Sequence, residues 1–357
     1  MRPLKKCRAT QFSSPLRGEG RVGVNITLPP PKRWRIFNLP PHVKGGGLSK
    51  YKLVAFLVGL LIFLSPCLLG AEEAEAFLQK GRSYLQEGRL DEALAELKRA
   101  VEIDPKLSEA RKLLGQACKE KGFLDEAVIQ FKNAITLDPK DAELRSLLGY
   151  TYLEKGNREE AINEFNQAIK LKPKEGKYQM ALGLAFLQEG NYEEAMHHLK
   201  KAIKLQPTLA EAHMHLGEIY LATTELDESI KELQEAVKLD PFHASWYTLL
   251  GSAYFAKGLY NEAVKEYMES LRADPNQVEP YLLIGRAYTA MGLFDEAIGE
   301  YKKALGLDPN SPEAHMHLAS IYRKLGRNAE ADREFRRYQE IMKEREKSRG
   351  QGLGIVK

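Results

Sequence analysis

Two identical tripeptides carry the side chains best suited to metal chemistry. Residues 213–215 and residues 315–317 both read His-Met-His, and imidazole nitrogen is a common ligand of transition metals. On a helix, however, side chains two residues apart point about 200° away from each other and do not face one site. The adjacent residues His197 and His198 do not chelate together either. We therefore interpret these histidines as packing residues, and we expect no metal and no other cofactor.

Paired carboxylates recur along the chain and would suit general acid and base chemistry. They occupy one place in a repeating pattern, each time at the start of a segment with helical apolar spacing: residues 91–92, 125–126, 193–194, 227–228 and 295–296. Carboxylates at the start of a helix cap free N–H groups and complement the helix dipole. Their repetition favours this structural role over catalysis.

The sequence contains none of the signatures that usually mark an enzyme. A His-Glu-x-x-His motif, a Walker phosphate loop, a Gly-x-Ser-x-Gly elbow and paired Cys-x-x-Cys motifs are all absent from it. The cysteines are Cys7, Cys67 and Cys118, so the region after residue 70 has one cysteine and no disulfide framework. We therefore predict that the protein is not an enzyme.

The elements that position all these residues follow one fixed period. Proline recurs every 34 residues, at 105, 139, 173, 207, 241, 275 and 309. A first set of glycines keeps the same period, at 81, 115, 149, 183, 217, 251 and 285, and a second set lies at 88, 122, 156, 190, 258, 292 and 326. Self-similarity at a fixed period is typical of a repeat array.

A single period already predicts its own structure. In residues 244–275 the apolar side chains before Gly251 have helical spacing, and Gly251 allows a neighbouring helix to approach closely. Gly258 provides the left-handed residue that ends this helix, and Asp274–Pro275 ends the second one. The apolar face of such a helix pair is too large to cover alone, so we expect each unit to be stable only when stacked on its neighbours.

This pattern resembles the tetratricopeptide repeat (TPR) family over residues 74–345. The resemblance implies an all-α fold, a right-handed α-solenoid of eight tandem helix-turn-helix units. We place the solenoid at residues 72–345, with repeats at 74–107, 108–141, 142–175, 176–209, 210–243, 244–277, 278–311 and 312–345. The eighth unit departs from the pattern, because Ala319 replaces the glycine and no proline ends the unit. We interpret it as a terminal cap, followed by a flexible charged tail at residues 346–357.

The resemblance also implies where a partner binds. In this family the concave groove is lined mainly by the first helix of each unit, and peptides bind there. Carried over to this chain, the candidate groove residues are Tyr150, Leu153, Met180, Leu184, Leu187, Met214, Glu218, Leu221 and Phe255. Glu218, Arg286 and Arg323 provide charges at the rim. For Leu153, Leu187 and Leu221, packing between units is an equal alternative.

The first 71 residues have a different composition. Residues 1–47 are basic and rich in proline and glycine, and we expect them to be disordered or to precede the true start of the protein. Residues 48–71 contain a positive flank and an apolar run from 53 to 64, extendable to 69, which is typical of a signal sequence or a single membrane anchor. The flanking charges predict that the rest of the chain lies outside the cytoplasm.

The charge balance also indicates the class of partner. Residues 1–52 carry twelve basic residues and one acid, whereas residues 53–357 carry 41 basic and 48 acidic residues. The solenoid is therefore acidic, which argues against nucleic acid as a partner. We expect a protein or peptide partner and no small-molecule substrate, with the inner membrane as a second contact through residues 53–69 if this segment is not cleaved.

Together these patterns predict a non-enzymatic scaffold or assembly factor of the bacterial cell envelope, periplasmic or anchored to the membrane. Two alternatives remain open. One is an accessory subunit of an exported or membrane enzyme complex, for example in polysaccharide synthesis. The other is a cytoplasmic TPR adaptor whose apolar run is not used for export.

Overall fold

The computed structural model describes residues 70–352, which form sixteen helices joined by short turns and contain no strand. In chain order these are α1 (residues 70–86), α2 (Leu90–Ile103), α3 (Ser108–Glu120), α4 (Leu124–Leu137), α5 (Ala142–Glu154), α6 (Arg158–Leu171), α7 (Gly176–Gln188), α8 (Tyr192–Leu205), α9 (Ala210–Ala222), α10 (Leu226–Leu239), α11 (Ala244–Ala256), α12 (Tyr260–Ala273), α13 (Val278–Met291), α14 (Phe294–Leu307), α15 (Pro312–Lys324) and α16 (Asn328–Gly352). The predicted all-α solenoid is confirmed. The leader at 1–47 and the apolar run at 53–69 lie outside the described residues. Within the described range, no helix has both the length and the apolarity needed to cross a membrane.

The two helices of each unit are joined by one type of turn. The residue that ends the first helix has a positive φ, and in seven units it is glycine, for example Gly258 with φ 82°. The next N–H group then donates to a carbonyl in the last turn of the first helix, as Leu259 does to Tyr254 at 2.9 Å, which is the Schellman pattern. In the fifth unit Thr224 adopts φ 65° and the same bond forms, from Glu225 to Tyr220 at 2.8 Å. The turn is therefore kept even where its residue is unfavourable.

In the first seven units, a glycine in the middle of the first helix lets a bulky side chain of the second helix approach closely. A Cβ atom placed on Gly149 would lie 2.6 Å from Cε1 of Phe165, and one on Gly251 would lie 2.6 Å from Cε1 of Tyr267. The bulky side chain is the 24th residue of its unit. In the first seven units this residue is fully buried: Leu97, Phe131, Phe165, Leu199, Leu233, Tyr267 and Tyr301.

Exposed ion pairs join some units to the next one. In three places the lysine at the 14th position of a unit bonds the aspartate at the 18th position of the preceding unit: Lys121 to Asp91, Lys155 to Asp125, and Lys257 to Asp227. No side-chain hydrogen bond caps the helices that these aspartates open, α2, α4 and α10. The aspartates lie in the first turn of these helices, where they complement the helix dipole as predicted, and they also bridge units. Exposed pairs contribute at most about 1 kcal/mol each, so apolar packing holds the stack together.

The last helix is longer than the second helix of any other unit. No proline ends it, and α16 runs from Asn328 to Gly352. Residues 346–352, which the sequence assigned to a flexible tail, are therefore helical. Pairs one turn apart support this helix, including Arg337 with Glu340 at 3.2 Å.

Substitution of the glycine in the middle of a first helix tests this packing. In Gly149→Ala the new Cβ atom must displace the Phe165 ring, and we expect a loss of about 1–3 kcal/mol in the free energy of unfolding. Gly299, inside α14, has no atom within 4 Å of an added Cβ, so Gly299→Ala should instead gain up to about 1 kcal/mol from helix propensity. Urea denaturation followed by circular dichroism measures both changes. Equal effects of the two substitutions would contradict the close approach at Gly149.

Candidate functional site

The first helices of several neighbouring units contact one another. Contacts join α3 with α5, α5 with α7, α9 with α11, and α13 with α15. We call the surface of the first helices the first-helix face and define it by the fifth, ninth and twelfth positions of each unit. All nine predicted groove residues lie on it, with two on α5, three on α7, three on α9 and one on α11.

Two of the predicted groove residues are buried. Leu153 is 7 % exposed and belongs to the core formed by α1 to α7. Met180 is 9 % exposed and packs with side chains of α8 and α9, including Leu199 and Leu216. These two side chains join units and present little surface to a partner.

Four more predicted residues are half-buried and contribute to the same packing. Leu187 contacts the apolar cluster around Leu216, while Met214 and Leu221 contact the cluster around Leu250 in the next unit. Tyr150 lies edge-on to Phe165, with 5.1 Å between the ring centroids. Burial raises the pKa of Tyr150 to about 12, so its hydroxyl remains protonated at any physiological pH.

The side chains left to face a partner are fewer. Leu184 is half-exposed and belongs to none of the buried clusters of the described residues. Glu218 is exposed, and a hydrogen bond with His215 at 3.3 Å lowers its carboxyl pKa. Phe255 is half-buried beside Tyr260, with ring centroids 5.3 Å apart. The assignment of a peptide-binding groove stays a prediction, but these three residues are its most available part.

The two ends of the first-helix face differ in whether their cations form ion pairs. Toward its start, cations bond acids of the next unit: Arg82 to Glu109 at 3.1 Å, Lys112 to Glu143 at 2.8 Å, and Lys119 to Glu154 at 2.7 Å. At this end of the face, these three cations are therefore already paired with carboxylates of the chain itself.

Toward its carboxyl end, the face presents a cation. Arg286 is exposed, and within residues 70–348 no carboxylate forms an ion pair with it. Its guanidinium carbon lies 5.4 Å from the centroid of the Phe255 ring. His317 is stacked on Tyr301, with centroids 5.2 Å apart, and burial together with the nearby Arg286 lowers the pKa of His317. This end therefore combines an available cation with aromatic surface, which suits an acidic group of a partner.

The His-Met-His tripeptides have a structural role, as predicted. His213 contacts Glu232 through Nδ1 at 2.6 Å and the carbonyl of Pro207 through Nε2 at 3.1 Å. His315 repeats both contacts, with Glu334 at 2.6 Å and with the carbonyl of Pro309 at 3.2 Å. Each histidine thus joins the two helices of its own unit to the preceding turn.

Other units use the same two positions, the fourth and the 23rd, with different residue types. Arg111 donates to Gln130 at 3.1 Å, and Arg145 donates to Glu164 at 3.1 Å. The signal that would have revealed these pairs in the sequence is a constant separation of 19 residues.

The described residues provide little for catalysis. They contain no group of three or more His, Cys, Asp or Glu side chains placed to hold a metal ion. Cys118 is buried, and burial raises its thiol pKa to about 11, so this sulfur stays protonated at neutral pH.

Comparisons with known proteins agree with this geometry. Models described as "Tetratricopeptide repeat" match residues 186–253, 146–210 and 312–342, and a model described as "TPR repeat" matches residues 81–122, 115–156, 251–292 and 285–326. Together these matches run from residue 81 to residue 342. No curated protein matches the chain.

Many solved structures are similar to the chain. A tetratricopeptide repeat protein from Parabacteroides merdae ATCC 43184 is 21 % identical, with 70 % of this chain and 99 % of that chain covered and a TM-score of 0.51. PilW, described as a widely conserved type IV pilus biogenesis factor, is 18 % identical over 56 % of this chain and 93 % of its own, with a TM-score of 0.51. MamA is 28 % identical over 45 % of this chain and 95 % of its own, with a TM-score of 0.41.

The two contacts of His213 predict a raised pKa and a contribution to stability that depends on pH. Both ring nitrogens face acceptors, so the imidazolium form satisfies both, and the bond with Glu232 raises the pKa of His213. Its contribution to stability should be complete below the unfolded-state pKa of about 6.5 and should disappear as the pH rises through the raised folded-state value. NMR titration of the imidazole measures the pKa of His213, and Glu232→Gln should lower this pKa. A His213 pKa at or below the ordinary value would contradict this assignment.

Proposed function

Because the chain belongs to the tetratricopeptide repeat family, we propose that it is a scaffold that binds a segment of another protein along its first-helix face. The observation that carries this proposal is the row formed by Leu184, Glu218, Phe255 and Arg286. These side chains are exposed or half-buried, and Leu184 and Arg286 are used neither for core packing nor for an ion pair within the described residues. Surface of this kind on a stable stack usually marks a binding site.

The charges on this row suggest what the bound segment carries. Glu218 favours a basic group near the fifth unit, and Arg286 favours an acidic group near the seventh. Leu184, in the fourth unit before Glu218, and Phe255, in the sixth unit between the two charges, offer apolar contact. A partner segment that carries, in this order, an apolar residue, a base, a second apolar residue and an acid would therefore bind in one direction along the face. Apolar burial would provide most of the affinity, and the two charges would provide selectivity.

We also propose that this scaffold acts in the bacterial cell envelope. The support is the sequence alone: a positive flank at residues 50–52, an apolar run at 53–64 and an acidic chain after it. PilW is described as a pilus biogenesis factor, but its likeness to this chain concerns the fold alone.

Capture of partners by the full chain tests the first-helix face. The double variant Leu184→Asp, Arg286→Glu changes two side chains that the core does not use, so we expect normal helicity and loss of the proteins that the wild type retains. Met180 is left unchanged, because an aspartate at this buried position would weaken the stack.

Phe123→Asp is the matched control, because Phe123 is 54 % exposed and lies outside the first-helix face. Quantitative mass spectrometry of the retained proteins compares the three chains. An identical set of retained proteins for the double variant and the wild type would refute binding at this face.

A fusion of alkaline phosphatase after Ala71 tests the location. The enzyme is active only after export, so we expect activity from the fusion with residues 1–71 and none after deletion of residues 53–64. Activity is measured in intact bacterial cells. An inactive fusion with the apolar run intact would favour the cytoplasmic adaptor instead.

A further inference from the structure

The solenoid begins with a polar surface. In the second to eighth units, the residue at the seventh position of the unit is a buried leucine or isoleucine that contacts the preceding unit: Leu114, Leu148, Leu182, Leu216, Leu250, Ile284 and Leu318. In the first unit this residue is Lys80, which is exposed, and the tenth residue is the exposed Ser83. A lysine and a serine in these places prevent another unit from stacking on the amino end.

The solenoid ends with an apolar surface. Phe335 occupies the 24th position of its unit. The side chain at this position is fully buried in all seven earlier units, but Phe335 is 38 % exposed. Met316, at the fifth position, is 42 % exposed. With Ala319, Ser320, Arg323 and Lys324 these side chains line a cavity of about 440 Å³, and we call this surface the carboxyl-end face.

The internal junctions indicate what covers a surface of this kind. On the second unit, the equivalent of Phe335 is Phe131, which is fully buried, and the helix that packs there is α5. The equivalent of Arg323 is Lys119, which bonds Glu154 of α5 at 2.7 Å. The occupant at this junction is therefore an amphipathic helix with apolar residues toward the phenylalanine and an acid toward the cation.

The cation of the carboxyl-end face is available for such a bond. Arg323 contacts Asp332 at 3.5 Å, and both side chains are more than 60 % exposed, so this pair is weak and exchangeable. The guanidinium of Arg323 also lies 5.9 Å from the centroid of the Phe335 ring. One acid on an incoming helix can thus meet Arg323 while apolar side chains cover Phe335.

We propose that the carboxyl-end face binds an amphipathic helix of another protein, with small and leucine-like residues toward Phe335 and an acidic residue toward Arg323. A second copy of this chain does not fit this surface. Its amino end would bring Lys80 beside Arg323 and Lys324, and its own carboxyl end would bring the same two cations together. Met316, Ser320 and Arg323 are the part of the first-helix face that belongs to the eighth unit, but the site shares no residue with the row formed by Leu184, Glu218, Phe255 and Arg286. Its existence does not depend on the function proposed for that row.

A peptide with the sequence of residues 141–155 is a direct probe, because it contains the helix that covers the equivalent surface of the second unit. It carries Leu144 and Leu148 for the apolar contact and Glu154 for the cation. Fluorescence anisotropy of the labelled peptide with the full chain should show saturable binding. Phe335→Glu and Arg323→Glu should each weaken binding at least about tenfold, as expected for substitutions at the centre of an interface.

A charge exchange makes the test specific. The peptide with Glu154→Lys should bind the wild type poorly and the Arg323→Glu chain better than the original peptide does. The Leu184→Asp, Arg286→Glu chain should bind the original peptide normally, which separates this site from the row formed by Leu184, Glu218, Phe255 and Arg286. Absence of binding, or binding that Phe335→Glu does not change, would overturn the proposal. Sedimentation that shows a dimer abolished by Phe335→Glu would overturn the assignment to a different protein.

Discussion

The contact between a glycine of the first helix and a bulky side chain of the second helix determines the rest of the molecule. Since Gly149 has no Cβ atom, the Phe165 ring packs directly against the first helix, and six other units repeat this contact. The close approach leaves a broad apolar face on each helix pair. This face is covered only when the next pair stacks on it, so the internal contact of one unit creates the need for its neighbour. Groups that would suit catalysis in isolation, such as the acids at residues 91–92 or the histidines at 213–215, are positioned by this stacking and contribute to it.

The period of 34 residues was sufficient to predict the helices, the turns and the solenoid, because glycine and proline act locally at each turn. Thr224 shows how strongly the array imposes this turn, since it adopts a positive φ where the other units have glycine. The sequence could not predict which partners the side chains of one face would choose. Asp91 and Asp125 lie in the first turn of a helix, where they complement its dipole as predicted, but they also bond lysines of the next unit. That choice depends on the angle between units, which no single unit encodes.

The same limit applies to the candidate site. Met180 and Leu184 are both apolar and both occupy positions that the resemblance assigns to the groove, but Met180 is buried against α8 and α9 while Leu184 is not. A pattern along one helix cannot distinguish them, because the difference arises from the neighbouring unit. The exposed end of the stack was also missed. The sequence has a bulky side chain at the 24th position of all eight units. Phe335 is the one that is exposed, because no further unit follows it among the described residues.

The strictly local contacts of this fold also have a consequence for how the chain acquires its structure. Helices contact partners in their own unit or in the adjacent one, so few contacts require distant parts of the chain to meet. A chain that emerges amino end first can therefore add one helix pair at a time, beginning from the unit that carries Lys80. During this growth each newly formed unit briefly exposes a surface like the one that the eighth unit exposes among the described residues. The carboxyl-end face therefore corresponds in position to the surface on which each earlier unit was added.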